Sequence, residues 1–352
     1  MDSLFIEYRD PLFGIIVILF LIFFIAFLTY TFGQYQDKKE RKSYKKLLKR
    51  FELQELKGDD FAHLSQAGNL PYETMLILAS SYIHKGDYEK AISIYLSMLE
   101  NTQHKNKKEE LLEHLGMAYF KGGFLQRSKD VFLKIVEFSP RNHTALYHLL
   151  YVYEKMGSYK LALEVIDSID ELEMKFNNIA DTRVYLRTLQ IINDSLTTCE
   201  VRAEELLEIL KTEPKVNRLI AGFIYTYQKE LFWKNIELFD LSELIDLLWY
   251  TPKEMIDLDI VKQNDTLKSI FVAKGYIEDE DIISDDFELS VLMELKKADN
   301  IKADLSFEYL CDSCKQSFPM SFDRCPNCRN ILSSKIQKTL TKVHNENNYS
   351  LL

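Results

Sequence analysis

LGMAYFKGGFLQRSKDVFLKIVEFSP, Leu115 to Pro140, reads as two amphipathic helices folded back on each other at a glycine. Leu115, Gly116 and Tyr119 stand at helical spacing before Gly123; Ser128, Phe132 and Ile135 stand at helical spacing after it, and Pro140 closes the unit. The same order of residue types returns 34 residues later as Leu149, Leu150, Tyr153, Gly157, Ala162, Ile166 and Ile169. It also stands 37 residues earlier, as Ala79, Tyr82, Gly86, Ala91 and Tyr95. The spacing has a physical reason: small residues let two helices cross closely, aromatics fill the gap between successive units, and Gly takes the turn. A period of this length marks stacked helix pairs, none of which can bury its apolar face alone. The three additional residues between the first two copies fall in QHKNKKE, Gln103 to Glu109, read as an extended loop.

These positions resemble the tetratricopeptide repeat family, and the resemblance implies a helical solenoid whose first helices line a concave protein-binding face. Clear repeats occupy 72–105, 109–142 and 143–176 of an array placed at 59–300, which degenerates after 177. Later candidates are CEVRAEELLEILKTEP, where Ala203, Leu206 and Pro214 fit loosely, and LIAGFIYTYQKELF, where Gly222 and Tyr225 fit. A separate helical domain after residue 180 is the alternative. Projected on the sequence, the groove carries His84, His114, Phe120, Tyr147, His148 and Tyr151, with Glu154 beside them. It lacks the regular Asn/Lys pairs that clamp a terminal carboxylate. Its histidines read as surface residues with no metal or catalytic role.

Composition narrows the function. In 352 residues, 47% hydrophobic and 28% charged, there are only 11 Gly and 7 Pro, so the chain is neither disordered nor collagenous. Phosphate-binding loops consume glycine, and neither G-x-G-x-x-G nor G-x-x-x-x-G-K-[ST] occurs, which argues against nucleotide chemistry. A nucleophile elbow and H-E-x-x-H are missing too, so no enzyme is expected.

The N-terminus reads as an anchor over 1–36. Leu12 to Phe32 is almost unbroken apolar sequence, enough to span about 30 Å of hydrocarbon, with Tyr30 and Tyr35 near the far interface. Asp2, Glu7 and Asp10 against Arg9, with no small-x-small site, do not suit a signal peptide. The basic juxtamembrane segment 37–58 opens on DKKERKSYKKLLKR, Asp37 to Arg50, at net +6, which places the bulk of the chain in the cytoplasm and the first residues outside. Residues 1–36 carry −2, leaving −14 of the net −10 for Phe51 onward, a body that nucleic acid repels. Glu278 to Glu288, EDEDIISDDFE, holds seven acids and no base and reads as a solvated loop capping the array, with a docking patch for a basic partner as the other reading.

The sharpest chemical signal is YLCDSCKQSFPMSFDRCPNCRN, in a small module at 305–332 before a polar tail, 333–352. Cys311, Cys314, Cys325 and Cys328 form two C-x-x-C knuckles whose thiolates can converge on one tetrahedral ion. The cofactor expected is one zinc, with iron as the other metal for such a site. Without a βαβ pattern around them, the pairs do not read as redox dithiols. The fifth cysteine, Cys199, reads as a core thiol. The fold expected is thus all-α: a tetratricopeptide-type solenoid with one N-terminal transmembrane helix and a C-terminal zinc-ribbon or rubredoxin-like knuckle module.

Anchor, array and knuckle pair together resemble the lipopolysaccharide assembly protein B family of Gram-negative bacteria. Tyr309-Leu310-Cys311 and Cys325-Pro326-Asn327-Cys328-Arg329 look like its Y-x-C and C-P-x-C-R, whereas Lys315 stands where that family and rubredoxins place Gly. The resemblance implies an inner-membrane adaptor without catalysis of its own. Its partners are a membrane-bound AAA+ protease and lipopolysaccharide-synthesis enzymes, and it promotes degradation of the deacetylase that commits material to lipid A. A generic membrane-bound scaffold for another envelope complex, and an electron carrier holding iron, are the competing readings.

Overall fold

The computed structural model describes residues 18, 20–31, 71–173, 178–278, 282, 284–297 and 303–342. The chain falls into two compact units, Met1–Val152 and Tyr153–Leu352.

The first unit is built from α1 (Tyr72–Lys85), α2 (Tyr88–Glu100), α3 (Lys105–Lys121), α4 (Leu125–Phe138) and most of α5 (His143–Lys155). Gly86 and Gly123 turn α1 into α2 and α3 into α4 at φ 82° and 78°, the left-handed region that a side chain disfavours. Gly157, the third turn glycine of the period, has φ 69°. The close crossing implied by the small residues is present. Ala79 and Ala91 are fully buried, Ser128 Oγ donates to the Gly116 carbonyl at 2.9 Å, and a Cβ on Gly116 would lie 2.6 Å from the Phe132 ring. One expectation is corrected: Gln103 to Glu109 is not an extended loop, because α3 already begins at Lys105. Lys and Glu are good helix formers, so the inserted residues lengthen the helix instead.

In the second unit, α6 (Tyr159–Glu171), α7 (Ile179–Ile192), α8 (Cys199–Thr212) and α9 (Asn217–Tyr227) continue the helical run. Shorter pieces follow: α10 (Lys229–Lys234), α11 (Ile245–Trp249), α12 (Leu258–Val261) and α13 (Asp265–Lys274), then α14 (Phe287–Lys297). Asp286, inside the acidic run, caps α14 by accepting from the Leu289 amide at 3.2 Å. The described residues end in an antiparallel sheet of order β2-β1-β3, with β1 (Ala303–Cys311), β2 (Ser317–Phe318) and β3 (Ser334–Lys342). Leu305, Phe307 and Tyr309 of β1 share one apolar core with Leu206, Ile220, Phe232, Leu248 and Phe271. Two boundaries therefore shift. The module begins at Ala303, and Ser334–Lys342, expected as polar tail, is a strand paired to β1 along its whole length. An alternation of Lys and Thr with Ile336 and Leu340 suits a strand with one wet face, and it is easily mistaken for tail.

Residues 20–31 are helical. Among the described residues no helix is long and apolar enough to cross a membrane; much of the expected span, and all of the segment 37–58, lies outside them.

Candidate metal centre

The two knuckles are one turn used twice. In the first, the Cys311 carbonyl accepts from the Lys315 amide at 2.9 Å while the Cys311 amide donates to Gln316 O at 2.9 Å. In the second, the Cys325 carbonyl accepts from the Arg329 amide at 3.0 Å while the Cys325 amide donates to Asn330 O at 2.8 Å. Each turn needs a left-handed residue just after its second cysteine: Lys315 has φ 59° and Arg329 φ 62°. That is the physical sense of a glycine at the first of these positions, and Lys315 occupies it at some conformational cost.

The four sulfurs all lie within 4.8 Å of one another. Cys311 Sγ is 3.6 Å from Cys328 Sγ, and Cys314 Sγ is 3.7 Å from Cys325 Sγ. A tetrahedral ion bound at about 2.3 Å per sulfur requires sulfur–sulfur edges of about 3.8 Å, which the Cys311–Cys328 and Cys314–Cys325 pairs match, with every other separation within 4.8 Å. Cys311 and Cys325 are buried, Cys314 is half-buried and Cys328 is exposed. Burial pushes the Cys311 thiol up, but the Cys314 amide, the Ser333 hydroxyl and the Ser313 amide outweigh it and pull the thiol down to about 6. Burial prevails at Cys325, which is pushed up to about 11. Amides aimed at sulfur stabilise thiolates, and a cation held by all four would complete that charge balance.

The centre is fastened to the helices by residues outside the motif. Tyr309 Oη donates to Asp246 Oδ2 at 2.5 Å, and Arg218 closes a bidentate pair on the same carboxylate at 2.9 and 2.5 Å. Burial opposes the Asp246 carboxylate, yet Arg218 and Tyr309 hold it below the usual carboxylate range. Trp249 Nε1 donates to Asp304 Oδ1 at 2.9 Å. On the knuckle side, Arg324 Nε donates to Glu154 Oε1 at 2.8 Å and Arg324 Nη2 to Glu154 Oε2 at 2.5 Å. Tyr185 Oη donates to the same Oε1 at 3.1 Å. Glu154, expected beside the groove, is instead buried under Arg324, a partner 170 residues away in the loop that leads into the second knuckle.

The other groove residues are distributed as follows. His84 is exposed in the last turn of α1, and Phe120, Tyr147 and Tyr151 are half-buried. His114 stacks on Tyr95 at 5.6 Å and His148 on Phe132 at 5.2 Å. These two histidines occupy the same place in successive repeats, each against the aromatic of the preceding second helix, so their rings have a packing role. Cys199 is half-buried at the start of α8, where its sulfur accepts from Arg202 Nη2 at 3.1 Å. Arg218, Asp246 and Arg324 escaped sequence reasoning; an arginine directly before Cys325 was the one visible signal.

The tetratricopeptide repeat family model matches residues 72–101. Among curated proteins, the photosystem I assembly protein Ycf3 of Prochlorococcus marinus subsp. pastoris is 27% identical over 97 residues, covering 28% of this chain and 54% of that protein. The chain thus spans about half the length of that relative. Among solved structures, MamA from Desulfovibrio magneticus RS-1 is 21% identical, with 47% of this chain and 93% of that one covered and a TM-score of 0.34. A tetratricopeptide repeat protein from Parabacteroides merdae ATCC 43184 is 16% identical, with 64% and 98% covered and a TM-score of 0.34. The chain carries tetratricopeptide repeats and a four-cysteine cluster able to bind a metal ion.

Proposed function

We propose that this chain is a non-catalytic, membrane-tethered scaffold of the lipopolysaccharide assembly protein B type, holding partner proteins in its repeat groove at the bacterial inner membrane. The reading rests on one observation above the rest: the tyrosine of the Y-x-C motif is buried against Arg218 and Asp246, so the knuckle module is part of the helical body. A module built in this way serves a scaffold by fixing the shape of the helices. Zinc, which brings no redox chemistry, suits that task better than iron.

In this reading the apolar N-terminal segment spans the membrane, the basic segment after it lies on the cytoplasmic side, and the groove collects a protease and its client in one membrane plane. Confinement to a plane raises their effective concentration without any new contact. The test has two arms. A pull-down from detergent-solubilised membranes should recover a membrane-bound AAA+ protease or a lipopolysaccharide-synthesis enzyme. Cells lacking the protein should show a raised lipopolysaccharide level and a longer half-life of the committing deacetylase. Unchanged values for both would reject the lipopolysaccharide role and leave a scaffold for another envelope complex.

A further inference from the structure

We propose that Arg324 links metal loading of the four thiolates to the packing of the helices around Glu154, so that closing the knuckle and ordering the end of α5 against α7 are one event. The inference rests on the four-cysteine cluster holding a metal ion; the link itself is read from geometry. Arg324 directly precedes Cys325, and its Nη1 donates to the Arg329 carbonyl at 2.7 Å. Arg329 closes the second knuckle turn on the Cys325 carbonyl. The guanidinium is therefore oriented by the very turn that a metal ion would hold shut.

Its other edge serves the helices. Nε and Nη2 grip both oxygens of Glu154 in the last turn of α5. The guanidinium also lies 5.5 Å over the ring of Tyr185 in α7, whose hydroxyl donates to the same carboxylate. The side chains of Arg324 and Glu154 are 11% and 6% exposed, so little water can replace either partner. Opening the knuckle removes the frame that aims Arg324 and leaves a buried carboxylate without its counter-charge, held only by the Tyr185 hydroxyl, an arrangement that proteins relieve by local opening. Linkage is reciprocal: if metal orders these helices, the same contacts must raise metal affinity by the same factor.

The experiment uses the full chain in detergent and zinc as the probe. Zinc affinity is measured by competition with a chromophoric chelator, and amide exchange is followed over 150–155 and 180–192, with and without zinc. The expected result is faster exchange at both segments when zinc is removed. Glu154→Gln, which touches no thiolate, should bind zinc about 10- to 100-fold more weakly, the usual loss on removing outer-shell support. Tyr185→Phe, a milder change, should lose less in the same direction and keeps the test open if Glu154→Gln does not fold. Equal exchange with and without zinc, or wild-type zinc affinity in both variants, overturns the link. Failure of the wild-type chain to bind zinc at all overturns the metal reading first, and the link with it.

Discussion

Tyr309 and Asp246 are 63 residues apart in the chain, and the phenol of one donates to the carboxylate of the other at 2.5 Å in a buried setting. Arg218 neutralises that carboxylate from α9. Three elements, α9, α11 and β1, thus meet at one charge, and loss of Asp246 would strip both Arg218 and Tyr309 of their shared acceptor.

Asp246→Ala should therefore cost about 2–4 kcal/mol, because it leaves the half-buried Arg218 guanidinium with only the Glu243 carbonyl and the Tyr309 hydroxyl without its acceptor, whereas Tyr309→Phe should cost about 1–3 kcal/mol for one lost buried hydrogen bond. The pH dependence follows from the sign of the shift. The folded Asp246 carboxyl is held below its ordinary range, so its contribution is present above the unfolded value of about 3.9 and is lost as pH falls through the folded one. Tyr309 is shifted the other way, raised chiefly by burial and then by Asp246, so its contribution is lost as pH rises beyond about 10. Urea unfolding of the second unit at several pH values should show both limbs in the wild type and a weaker acid limb in Asp246→Asn.

Gly116→Ala tests the repeat itself. Alanine is the better helix former by about 1 kcal/mol. Here, however, the added methyl would meet the Phe132 ring at 2.6 Å, and Phe132 is fully buried. Overpacking should win, giving a net loss of about 1–3 kcal/mol in denaturant unfolding. Phe132→Leu in the same chain should recover part of it; a stabilised Gly116→Ala would contradict the close crossing.

What could be read in advance follows from which interactions are local. Tyr82, Tyr95, Phe132, Leu150, Ala162 and Ile166 all belong to the repeat period, and all are buried. Periodicity reports an interface that recurs every repeat, so it finds such residues. The four cysteines were legible for a similar reason, since each pair lies within one turn. Arg324 on Glu154 and Tyr309 on Asp246 join segments far apart in sequence with no repeating partner, so spacing carries no trace of them. β3 was missed because its partner strand, not its own composition, orders it.

The proposed groove can be tested by separating Tyr147 and Tyr151, expected to contact a partner, from His114 and His148, which stack on Tyr95 and Phe132. Tyr147→Ala with Tyr151→Ala should weaken capture of a partner in a pull-down while the unfolding midpoint stays near wild type, since both rings are half-buried on α5 and neither belongs to the buried core. His148→Ala, which removes the stack on Phe132, should instead lower stability by about 1 kcal/mol. Partner capture unchanged in the double tyrosine variant would move the binding face elsewhere.

Topology is the next expectation. If the apolar stretch spans a membrane, the +6 segment after it should place the chain from Arg50 onward on the cytoplasmic side. A reporter active only in the periplasm, fused after Leu352, should stay silent, and activity there would reverse the orientation.

The metal centre gives the last prediction. Four converging thiolates at tetrahedral spacing should take one zinc ion per chain, seen by elemental analysis of a colourless protein; iron at the same site would be coloured. Cys325→Ser should lose the ion, because Cys325 is buried and its amide and carbonyl both serve the second knuckle turn. The damage should spread beyond the knuckle, since binding energy at such a site is folding energy. β1 of the same module contributes Leu305, Phe307 and Tyr309 to the core shared with the helices. A drop in the unfolding midpoint of the helical signal should therefore accompany metal loss in Cys325→Ser, while Cys199→Ser, remote in sequence from the cluster, should keep the metal. A Cys325→Ser protein that retains stoichiometric zinc would remove these four residues as the ligand set.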